Sequence, residues 1–138
     1  EILQRQGKGF ITSEVPLAQE VECFRIPIHP SEMHHVLAFA DIFIGDSQSM
    51  TVEAAILGVP SLRINSFADR CSILVELQDK YQLTYGFFPS QEEEIFNIIY
   101  GWLTDERLKE KWQLKRQKLL EDKIDVTKWM VSFIESLI

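Results

Sequence analysis

Residues Gly45-Asp46-Ser47-Gln48-Ser49 form a tight polar stretch between a short apolar run at 42–44 and a segment rich in small residues that begins at Met50. Glycine adopts backbone conformations closed to other residues, so Gly45 suits a sharp turn. Ser47 and Ser49 are good helix caps and carry hydroxyl donors. A buried strand that ends in such a loop and opens into a helix leaves the first helical N–H groups, near residues 49–52, without partners and at the positive end of the helix dipole. That corner suits a phosphate or diphosphate. Gly45, Asp46, Ser47, Gln48, Ser49 and Met50 are the candidate anion-binding residues. Glu53 follows one turn into the helix, and its side chain leans back toward the loop. A carboxylate there repels a diphosphate but can accept hydrogen bonds from a vicinal diol such as ribose. The alternative is that Glu53 only complements the helix dipole.

A second group borders the same place. Arg63 and Asn65 close an apolar run at 61–64, and Asp69-Arg70 follow. Arg63 or Arg70 can pair with a phosphate or a substrate carboxylate, or can form internal salt bridges. His34 and His35 fall in the first turn of another helical segment, where either can contact a nucleotide, move a proton or make an ordinary half-buried polar contact. Cys23, His29, His34 and His35 cluster in sequence, but their spacing matches no zinc pattern, so no metal site is expected. Asp46 as a phosphoacceptor lacks the acidic pair and the late lysine that this chemistry needs.

The elements that must position these residues read as alternating strands and helices. Strands are expected at 10–13, 24–28, 42–44, 61–64 and 84–88. A helix capped by Ser31 is expected to run to about Ala40, another from about Met50 to Leu57, and a third from Ile73 to about Lys80. Gly58 supplies a left-handed C-terminal residue, and Pro60 prevents continuation. Three helices close the chain, at about 91–103, 106–120 and after a cap at Asp125. The last shows Val126, Trp129, Met130, Phe133, Ile134 and Leu137 at helical spacing, a core-like stripe. No two-residue hairpin turn is present. The pattern predicts an α/β fold: an open, mostly parallel sheet of about five strands with a helical C-terminus. Ligands of such sheets bind beyond the carboxyl ends of the strands.

The chain has 138 residues, 14 basic and 21 acidic, for a net charge of −7. That length suits one domain, 1–138, with no linker or repeat. The acidic balance argues against a nucleic-acid partner, and no apolar run is long enough for a membrane span. Cys23 and Cys71 cannot build a disulfide framework, which fits a reducing, cytoplasmic location. The chain begins with Glu rather than Met and reads as a piece of a longer protein.

The run Gly45-Asp-Ser-Gln-Ser-Met-Thr-Val-Glu53-Ala-Ala, then Leu57-Gly-Val-Pro60 and Leu62-Arg-Ile-Asn65, resembles the donor-binding motif of glycosyltransferase-B-fold proteins. It is similar to a prokaryotic family of unknown function with that fold, over most of the chain including 76–83 and 125–127. It is also similar, over about 36–70, to the non-hydrolysing UDP-N-acetylglucosamine epimerases, which carry Asp-Ser-Gly-Gly, a Glu-Ala pair and Leu-Gly-x-Pro at this spacing. The resemblance implies a Rossmann-like C-terminal half of a glycosyltransferase-B-like fold, whose N-terminal domain is missing and whose first central strand is not found before Phe10. It implies that residues 47–49 hold the diphosphate of a UDP-sugar or related nucleotide and that Glu53 binds its ribose. The nucleotide-sugar is then a substrate, and no separate cofactor is implied. The epimerases have Gly-Gly where this chain has Gln48-Ser49, whose side chains narrow the approach. The expected function is donor binding for glycosyl transfer or sugar-nucleotide epimerisation, with the isolated chain inactive and its catalytic residues elsewhere. The alternatives are a domain of the same fold that has lost its nucleotide, or a self-associating module, such as a homodimer of the fragment. In glycosyltransferase-B folds the last helices return to the other domain, so part of the C-terminal stripe, with Trp102 and Trp112, is expected to face that missing partner.

Overall fold

The structure is a computed structural model and describes residues 7–67 and 70–137. The chain divides into two compact units, one ending at Val36 and one beginning at Leu37.

In the first unit, residues 11 and 25 form a single parallel bridge: Ile11 N–H donates to Phe24 O at 2.8 Å, and Ile26 N–H to Ile11 O at 3.1 Å. The two strands expected at 10–13 and 24–28 are reduced to this contact. A 3-10 turn occupies Glu22–Phe24, and the Arg25 guanidinium is spent locally, on Glu22 at 2.6 Å and on the carbonyls of Ser13 and Val15. A one-turn 3-10 segment, Pro30–Glu32, leads into helix α1, Met33–Phe39. Its cap is His29, whose Nδ1 accepts from Ser31 N–H, so the expected Ser31 cap is displaced by two residues. Pro30 at the first position explains the shift, since its fixed φ starts the turn there.

The second unit is built on three parallel strands in the order β1-β2-β3: β1 Phe43–Gly45, β2 Ser61–Ile64 and β3 Thr84–Phe87. Among the described residues the sheet thus has three strands rather than about five. Gly45 lies beside Arg63, and Arg63 beside Gly86. Helices α2, Gln48–Leu57, and α3, Ser72–Asp79, make the two crossovers, and α4, Glu92–Leu103, follows β3. Alternation along the strands sorts side chains by face. Leu62, Ile64 and Phe87 pack with Ile95 and Ile99 of α4. The intervening residues, Phe43, Ser61, Arg63 and Thr84, turn to the face covered by α2 and α3; Phe43 packs with Ala54 there. Ala54 and Ala55 are both fully buried, because only a small residue lets a helix approach the strands this closely.

Helix α5, Leu108–Asp122, braces the unit. Trp112 is buried in the main core with Leu74, Leu77 and Leu83, and its Nε1–H donates to Leu83 O at 2.8 Å. Trp102 meets it edge-on at 5.1 Å. Trp112 therefore faces this unit's own core, which corrects the expectation that it looks toward another domain, while Trp102 is half-buried against the same core. Beside Trp112 on α5, Arg116 Nε donates to Ile56 O at 2.6 Å, and Gln113 Nε2 reaches the carbonyls of Leu57 and Gly58. These are the orphan carbonyls at the end of α2. Gly58 closes that helix at φ +75°, with Val59 N–H on Ala54 O at 2.8 Å, as its position before Val-Pro predicts. Helix α6, Val126–Glu135, is capped by Asp125, whose carboxylate accepts from Lys128 N–H at 3.0 Å. None of its residues is buried, so the stripe read as core-like is exposed. No helix among the described residues is long and apolar enough to cross a membrane.

Candidate functional site

The site predicted at 45–53 lies at the carboxyl end of β1, at the first turn of α2. The helix begins at Gln48, two residues before its expected start, because Ser47 is the cap. Ser47 has extended backbone angles, and its Oγ accepts from Met50 N–H at 3.3 Å. Its carbonyl accepts both Thr51 N–H, at 3.2 Å, and the Thr51 hydroxyl, at 2.7 Å. Thr51 is fully buried and was not a sequence candidate. A threonine four residues after a capping serine is the only signal that marks it.

This start alters the assignment of donors. Met50 N–H is taken by the cap, and Thr51 N–H is in the helix. Among the described residues, the amides of Gln48 and Ser49 at this end have no acceptor. Gln48 is half-buried and Ser49 exposed; the Ser49 hydroxyl lies 3.2 Å from the Ser47 hydroxyl. Two hydroxyls and two amides thus share one corner. Glu53 is half-buried in the second turn, and the first turn of α2 holds no acid. A dipole effect fades beyond the first turn, so the dipole reading of Glu53 loses its main argument.

Gly45 has a role other than the expected one. Its φ is not in the left-handed region; instead a Cβ there would come within 2.7 Å of Cζ of Phe43. The ring of Phe43 folds over the strand end and fills the place of a side chain.

Asn65 ties the strand ends together. It is 7% exposed. Its Nδ2 donates to Asp46 O at 3.0 Å, its Oδ1 accepts from Phe67 N–H at 3.2 Å, and its own N–H reaches Phe87 O at 3.1 Å. One side chain thus braces the loop after β1 from the end of β2, while its backbone pairs with β3. Arg63 is buried two residues earlier on the middle strand, between two glycines on its neighbours. Both Arg63 and Glu53 are engaged by the protein itself. Asp46 and Arg70 are exposed, and the Arg70 N–H donates to Phe67 O at 3.2 Å. Asp69 lies outside the described residues. His34 and His35 are exposed on α1 and belong to the first unit.

Among the described residues no three His, Cys, Asp or Glu side chains gather as metal ligands, and Cys23 and Cys71 are free thiols. In the first unit an open depression of about 500 Å³ is lined by Gly7 to Phe10 and Cys23 to Pro27. Comparison with protein-family models, with curated proteins and with solved structures found no match.

Proposed function

We propose that the chain is the donor-binding half of a nucleotide-sugar enzyme, a glycosyltransferase or a sugar-nucleotide epimerase. The diphosphate of a UDP-sugar takes the amides of Gln48 and Ser49 at the start of α2, with the Ser47 and Ser49 hydroxyls as further donors. Glu53, one turn along, accepts the ribose hydroxyls. Arg63 lends positive potential from beneath, and Arg70 borders the opening. The groups that do chemistry come from another part of the protein, so the chain alone gives no turnover.

The observation that carries this is the pair of unclaimed amides at a helix start on the carboxyl side of a parallel sheet, in a loop braced by Asn65. Titration calorimetry of UDP, UDP-sugars and uridine into the chain tests it. Saturable binding of UDP, stronger than uridine, is expected, with Ser47→Ala and Glu53→Ala each weakening UDP by about tenfold. Equal binding by the parent and both variants removes the assignment.

One observation favours a second reading, a domain that keeps this fold without the ligand. The corner is partly occupied by its own groups, since Ser47 Oγ already serves Met50 N–H and meets Ser49 Oγ. In that case millimolar nucleotides leave the thermal midpoint unmoved, because a ligand stabilises only the state that binds it.

A further inference from the structure

We propose that α6 is a self-association surface and that its occupant is α6 of a second copy, packed antiparallel about a two-fold axis between Val131 and Ser132. Val126, Trp129, Met130, Phe133, Ile134 and Leu137 are between 49% and 70% exposed, and the rings of Trp129 and Phe133 stack in parallel at 5.4 Å. A helix of 10 residues with no buried side chain is marginal in water and needs something to cover it.

Three features select a second copy. The first is symmetry. Reversing the segment 126–137 about its midpoint sets Val126 against Leu137, Trp129 against Ile134 and Met130 against Phe133, so each of these six residues meets another of the six, as a two-fold contact requires. The second is charge. The two charges of α6, Lys128 and Glu135, lie on the opposite side of the helix, so pairing desolvates no ion. The same near-neutral polar side gives an anionic lipid surface nothing to attract. The third is area. The six side chains leave roughly 600 Å² to cover on each copy, so a pair buries about 1,200 Å², the lower bound for a stable specific dimer.

Sedimentation velocity of the 138-residue chain from about 1 to 100 µM tests this, a range suited to an interface at that lower bound. A reversible monomer–dimer equilibrium is expected, with Met130→Glu plus Phe133→Glu weakening it about 100-fold. The core loses nothing in that variant, so its unfolding midpoint at the lowest concentration stays at the parent value. Orientation is read by oxidation in a Cys23→Ser, Cys71→Ser background. A Val126→Cys chain mixed with a Leu137→Cys chain gives the mixed disulfide dimer, and Leu137→Cys alone gives little. A monomer throughout the range, a dimer indifferent to the double variant, open-ended assemblies, or efficient self-linking of Leu137→Cys each overturns the proposal.

Discussion

At the scale of single residues, Gly45 and Gly58 are required for different reasons, Gly45 by the Phe43 ring beside it and Gly58 by its backbone angle. Gly58 must hold φ +75°, and a Cβ there would lie 2.5 Å from Gln113 Nε2 and 2.8 Å from Arg116 Cδ. Gly58→Ala should therefore cost about 1–2 kcal/mol, read as a lower urea midpoint with unchanged slope. Ser61 gives the opposite sign. Its Oγ is fully buried and has no hydrogen-bond partner among the described residues. Ser61→Ala removes a desolvated hydroxyl and should be neutral or stabilising by up to about 1 kcal/mol in the same measurement. Ser47 and Gly58 are legible in the sequence because caps and left-handed residues are local events. Thr51 is half legible. Asn65 was placed at the site edge, but its brace on Asp46 O depends on how β2 lies beside β1, which no single stretch of sequence states.

At the scale of elements, the helices were legible to within a few residues because their apolar spacing is set by the core they cover. The start of α2 was misplaced by two residues, since Gln48 and Ser49 are polar and carry no periodic signal while Ser47 takes the cap. The service that α5 performs for α2 was not legible, because Gln113 and Arg116 meet α2's carbonyls across more than fifty residues of chain. That brace makes α5 more than a lid on the core. Trp112 holds it in place through Leu83 O and through Trp102. Trp112→Phe keeps an apolar ring but leaves the Leu83 carbonyl unsatisfied and the pocket underfilled. A loss of about 2–3 kcal/mol is expected, together with faster hydrogen exchange at the end of α2, whose carbonyls α5 covers.

At the scale of the whole molecule, an all-parallel sheet of three strands needs both faces covered, and here α2 with α3 and α4 supply the cover. Strand–helix alternation announced that architecture, whereas the strands expected at 10–13 and 24–28 had the right composition but lacked the neighbours that turn an extended run into a ladder. A further tie between α3 and α5 is electrostatic and lies at the far end of α5. Asp122 accepts from Tyr81 OH at 3.0 Å and pairs with Lys80 at 2.8 Å, while Lys123 pairs with Glu76 at 2.7 Å. Hydrogen bonds from Lys80 and then Tyr81 hold the Asp122 carboxyl below the usual carboxylate range, and the Asp122 contact raises Lys80. A group whose folded pKa is depressed stabilises the fold above its unfolded value and loses that contribution as pH falls through the folded value. The tie between α3 and α5 should thus be intact at neutral pH and fail as pH drops below about 4. Thermal midpoints followed from pH 7 to below pH 3 should fall, and Asp122→Asn should start lower at pH 7 yet fall less steeply over the acid limb. A variant that tracks the parent at every pH would assign the acid sensitivity to other carboxylates, with Asp105, held low by Lys111 and the Arg107 amide, next in line.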